Sequence, residues 1–144
     1  MIEADTIKLL RECDAGVKMG ISSLDEVLPY VRAKELKKCL NACKDEHEKL
    51  KGEIEELLAR YRDDGKEPNP IAKGMSWMKT NIKLSMQESD HTIADLITDG
   101  CNMGVKSLNR YLNQYKAADE KSKDITKRLI NLEEKLAIDI RDFL

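Results

Sequence analysis

Apolar side chains recur at every third and fourth position through four stretches of this chain, the spacing of one face of an α-helix. The first stretch reads Ile7, Leu10, Asp14, Val17, Ile21, Leu24 and Leu28. The second reads Ala33, Leu36, Leu40, Cys43, His47, Leu50, Ile54, Leu57 and Tyr61. The third carries Ile93, Ile97, Gly100, Gly104, Leu108, Tyr111 and Tyr115, and the fourth Ile125, Leu129, Leu132, Leu136, Ile140 and Phe143. These stripes predict helices over 6–28, 32–62, 90–115 and 120–143. Asp5 is the expected N-cap of the first, and Pro29 ends it. The run from Asp63 to Pro70, with Gly65, Pro68 and Pro70, breaks the pattern.

Between the second and third stripes lies a segment of different character, 71–88, holding Met75, Trp77, Met78, Ile82, Leu84 and Met86. It reads as a long, partly helical crossover. The expected organisation is one domain over 1–144: a hairpin over 5–64, the crossover over 65–89 and a second hairpin over 90–144. Short links make each hairpin antiparallel.

Two side chains interrupt the stripes. Asp14 and His47 stand where the period asks for an apolar residue, and inward-facing carboxylates and imidazoles are what helical bundles use for internal metal sites. Short matches suggest that the hairpins are copies of one unit. Cys13-Asp14-Ala15-Gly16-Val17-Lys18 resembles Cys101-Asn102-Met103-Gly104-Val105-Lys106, and Glu48-Lys49-Leu50 with Ile54 resembles Glu134-Lys135-Leu136 with Ile140. Gly16, Gly20, Gly100 and Gly104 fall on the expected inner faces, where a glycine costs about 1 kcal/mol relative to alanine. Close helix packing explains them, and so does room for a ligand.

Composition narrows the function. Charged residues make up 36% and aromatics 4%, with one Phe and one Trp, which favours an all-helical chain. A net charge of −2 without a basic cluster argues against nucleic acid as a partner. No apolar run approaches the roughly 18 residues of a membrane span, and the first residues lack a signal-peptide core. The expected compartment is therefore the reducing cytoplasm, with Cys13, Cys39, Cys43 and Cys101 as free thiols. Cys39 and Cys43 share a helix face, but zinc would need two more ligands from elsewhere. His91 reads as a first-turn surface residue, and the serines lie in no nucleophile motif.

The paired hairpins and the segment Ile71-Ala72-Lys73-Gly74-Met75-Ser76-Trp77-Met78-Lys79 resemble the ferritin-like superfamily, in particular bacterial rubrerythrin-type domains of unknown function. The resemblance implies an all-α, antiparallel four-helix bundle with two hairpins joined by the crossover. It also implies a di-metal site made of one Glu from each of two helices and a Glu-x-x-His pair from each of the others. The second helix has His47 but Lys44 in place of the Glu, and the fourth has Ile130 and Glu133. The single-Glu positions fall near Lys18 and Lys106, with Asp14 and Asn102 one turn earlier.

The candidate metal residues are thus His47, Asp14 and Glu133, with Lys18, Lys44 and Lys106 as cations that replace metal charge. No catalytic residue is named and no cofactor is expected. The expected role is a non-enzymatic structural or interaction protein with a degenerate di-metal site. The alternative is an iron or manganese storage protein or oxidoreductase holding Fe, Mn or Zn in an unusual ligand set. Expected partners are further copies of the chain, through helical faces or the Trp77 crossover, with neither nucleic acid nor membrane.

Overall fold

A computed structural model describes residues 4–67 and 89–144. Residues 68–88 of the expected crossover, with Trp77, lie outside the described residues. The described chain is helical: α1 (Ala4–Val27), α2 (Lys34–Arg60), α3 (Ser89–Gln114) and α4 (Glu120–Asp139). Each stripe forms the helix it predicts, with ends shifted by a few residues. The fourth stops early, and Arg141–Phe143 turns into a short 3₁₀ segment.

The ends have local causes. Asp5 is not a cap: it lies inside the first turn of α1, and its carboxylate accepts from the Ala117 backbone N–H. Pro29 sits in the 3₁₀ turn Leu28–Tyr30, where α1 stops. At the end of α2 the Asp63 N–H reaches back to the Leu58 carbonyl, and Arg62 takes a φ of 57°. That bond is the six-to-one closure of a Schellman motif, and Arg62 fills the left-handed position usually given to glycine. Asp119 caps α4 by accepting from the Ser122 N–H at 2.8 Å.

Contacts at the ends set the helix directions. The Asp90 carboxylate, at the start of α3, accepts from the backbone N–H groups of Arg32 and Ala33, just before α2. The two helices therefore begin at the same end of the bundle. Thr6, near the start of α1, accepts from the Asp119 N–H at the start of α4. The order is up, down, down, up: α1 packs antiparallel to α2 and α3, and α4 antiparallel to α2 and α3 in its turn. The chain leaves α2 at one end and enters α3 at the other.

The core divides into two apolar clusters. One fills the end where α2 and α3 begin, with Leu24, Val27, Leu36, Leu40, Ile93, Ile97 and Ile140. The other fills the opposite end, with Leu10, Val17, Leu50, Ile54, Leu108, Ile125 and Leu129. Along α2 the first cluster ends at Cys43 and the second begins at Leu50; along α4 they meet between Ile130 and Leu136. His47 and Glu133 occupy that gap. Among the described residues no helix is long and apolar enough to cross a membrane.

Candidate functional site

His47 is 1% exposed at the middle of α2. Its Nδ1 lies 2.8 Å from the Cys43 carbonyl oxygen, one turn back. A carbonyl only accepts, so Nδ1 carries a proton. Its Nε2 lies 2.9 Å from Glu133 Oε1 on α4. With the carboxylate ionised, Nε2 donates as well and the ring is an imidazolium. Burial opposes that charge, but the Cys43 sulfur and the Glu133 carboxylate, as side-chain acceptors and nearby charges, outweigh it and lift the pKa to about 10.

The Cys43 thiol lies 3.4 Å from the same Nδ1. Sulfur, imidazole and carboxylate thus stand in the order of a nucleophile, its base and an orienting acid. The shorter bond to the carbonyl takes the proton-bearing Nδ1 out of that role, because a base needs a free lone pair. Cys101, on α3, has its thiol pKa pushed up by burial and by the nearby Glu133 carboxylate, and burial likewise raises Cys13 to about 12. Both are inert thiols in their surroundings.

Two glycines meet the pair from the other helices. A Cβ on Gly20 of α1 would fall 2.8 Å from both His47 Cδ2 and Nε2. A Cβ on Gly104 of α3 would stand 3.6 Å from Glu133 Cδ and Oε2. Thus α2 and α4 supply the charges, while α1 and α3 supply bare backbone beside them. The structure pairs Gly20 with Gly104, one helical turn out of step with the register that the Cys13 and Cys101 matches suggest. The glycine signal was in the sequence; which glycine faced which charge was not.

The remaining candidates lie elsewhere. Asp14 is six residues before Gly20 on α1, roughly 9 Å of helix rise away. It is 1% exposed. One of its oxygens accepts from Lys18 Nζ at 2.9 Å and from the Lys66 backbone N–H at 3.0 Å; the other has no partner among the described residues. The strand of chain after α2 is laced to α1 there: Asp63 forks onto Arg11, Lys66 pairs with Glu12 and Glu67 with Lys18. Lys44 points away from His47 to the surface carboxylate of Asp25. Lys106 is exposed, and Ile130 is packed in the second apolar cluster. Of the three candidate ligands, then, only His47 and Glu133 come together, while Asp14 pairs with the candidate cation Lys18. Among the described residues no group of three or more His, Cys, Asp or Glu side chains is placed to share a metal ion.

A cavity of about 480 Å³ runs between α1 and α3 and reaches down to the pair, with Gly16, Gly20, Gly100 and Gly104 along its sides. Its volume falls within the range of small-molecule sites, roughly 300–1,000 Å³. Comparison with protein-family models, with curated proteins and with solved structures finds no match to this chain. The bundle and the buried pair therefore stand on their own geometry.

Proposed function

We propose that the chain is a ferritin-like bundle in which a histidine–glutamate ion pair takes the central place of the metals, and that it works by binding rather than by catalysis. The up, down, down, up order supports the ferritin-like reading, since bundles of that class join their hairpins by one long crossover. The pair sits midway between two apolar clusters, on the helices to which the Glu-x-x-His comparison assigns ligands.

One observation carries the non-metal reading. Both nitrogens of His47 already have acceptors, the Cys43 carbonyl and Glu133, so neither has a lone pair to offer an ion. A ligating histidine normally gives only its second nitrogen to such a partner. The charge a metal would bring is supplied by the imidazolium itself.

Elemental analysis of the protein as isolated tests this. The expected result is well under about one equivalent of Fe, Mn or Zn per chain, since the described residues place no full tetrahedral or octahedral donor set around His47. Stoichiometric metal that disappears in His47→Ala would overturn the reading and restore the storage or oxidoreductase alternative.

A further inference from the structure

We infer that the cavity between α1 and α3 binds an amphipathic organic amine, its ammonium on Glu133 and its hydrocarbon along the helix walls. The walls are apolar: Met19, Leu24, Ile97, Met103 and Leu108 line the length of the cavity. Among the described residues the charged lining comprises three carboxylates, Glu12, Asp99 and Glu133, against Lys66 and His47. Lys66 is held by Glu12 at 2.6 Å and His47 by Glu133 at 2.9 Å. Asp99, exposed at the rim, is the surplus charge among the described lining residues, which favours a cation over an anion.

Glu133 is the group built to receive it. His47 takes Oε1, the Cys101 thiol also hydrogen-bonds the carboxylate, Oε2 faces the notch at Gly104, and the side chain keeps 15% of its surface exposed. A carboxylate oxygen accepts more than one hydrogen bond, so an ammonium N–H can use Oε2 without displacing the imidazole. The missing Cβ at Gly104 is what opens that approach. Met19 and Met103 are flexible, polarisable side chains suited to an alkyl body of variable shape. At about 30 Å³ per non-hydrogen atom, the share of one water in the liquid, the cavity holds on the order of 15 such atoms. A twelve-carbon amine is of about that size.

The inference rests on Glu133 being free of metal, as the proposed function has it, and metal content is measured on the same sample. The probe is dodecylamine below its micellar concentration at pH 7, followed by calorimetry and by the methyl signals of 13C-labelled methionine. The expected result is saturable one-to-one binding that shifts Met19 and Met103. Dodecanol and dodecyl sulfate should bind at least about tenfold more weakly, since they bring no cation. Glu133→Gln should weaken the amine by about tenfold or more. Because that change also disturbs the core pair, Asp99→Asn is the second variant: it should weaken the amine by about threefold with an unchanged melting temperature. Unmoved Met19 and Met103 signals, equal binding of dodecanol, or full binding to both variants in metal-free protein would overturn the inference while leaving the proposed function intact. Stoichiometric metal on His47 would overturn both.

Discussion

Gly20 lies against the imidazole of His47, so closely that a Cβ built there falls 2.8 Å from two ring atoms. The ring cannot swing away cheaply, because both of its nitrogens are held, by Cys43 and by Glu133. Gly20→Ala should therefore destabilise the protein by about 1–3 kcal/mol through overpacking, even though alanine favours the helix. Among the described residues, Gly52 and Gly100 have nothing within 4 Å of the corresponding position. Gly52→Ala and Gly100→Ala should each stabilise by about 0.5–1 kcal/mol. Urea unfolding of the three variants checks the contrast; equal stabilisation by all three would mean that the ring moves freely.

The His47–Glu133 pair should behave as one unit. Removing one member leaves the other charged in a largely apolar gap, at a cost of about 3–5 kcal/mol for a buried pair, and toward the lower end here because Glu133 keeps some solvent. His47→Leu alone should fall in that range, whereas His47→Leu with Glu133→Met should return to within about 1 kcal/mol of the parent. A double-mutant cycle reads the coupling directly. Additive losses would show that the two side chains do not depend on each other.

The pair also predicts a direction for the pH dependence. The folded-state pKa of His47 is raised from the ordinary 6.5 to about 10. The folded protein therefore holds its proton more tightly than the unfolded chain. The resulting stabilisation is complete below about 6.5 and is lost as pH rises toward about 10. Unfolding free energy should fall across that window, by an amount on the order of a few kcal/mol. Lysine and cysteine titration contributes near the upper end, so the quantity to measure is the difference between the parent and the double variant His47→Leu, Glu133→Met. A difference that stays flat from pH 6 to 10 would mean that the imidazole is neutral in the fold.

Asp90 joins the beginnings of α2 and α3 by accepting from the Arg32 N–H at 2.8 Å and the Ala33 N–H at 2.9 Å. Asp90→Ala should cost about 1–2 kcal/mol, the range for a lost helix-end acceptor. Hydrogen exchange should accelerate at Arg32 and Ala33 before it does at the core of either helix. Unchanged exchange there would place the tie between the hairpins elsewhere.

The helices were legible because burial of one face imposes a period, and a period survives in the linear sequence. Leu36, Leu40, Cys43, Leu50, Ile54 and Leu57 are all buried, as the second stripe requires. His47 was recognisable for the same reason, as an ionisable side chain in step with them. Caps were less legible: Asp5 looked like an N-cap but serves the α3–α4 turn, since its partner Ala117 is distant in sequence.

The assignment of partners depended on the fold. Asp14, His47 and Glu133 look alike along the chain, as polar positions in or beside apolar stripes. Asp14 finds Lys18 one turn along its own helix, a pairing that sequence spacing allows, whereas only the levels at which the helices cross bring Glu133 to His47. Lys44, one turn from His47 in sequence, is turned outward to Asp25. Hydrophobic periodicity alone thus determined four amphipathic helices and an odd histidine among them. The tertiary structure decided which charge met that histidine and which glycines made room, because contacts between helices depend on their direction and relative height, and neither is written in the period of a single helix.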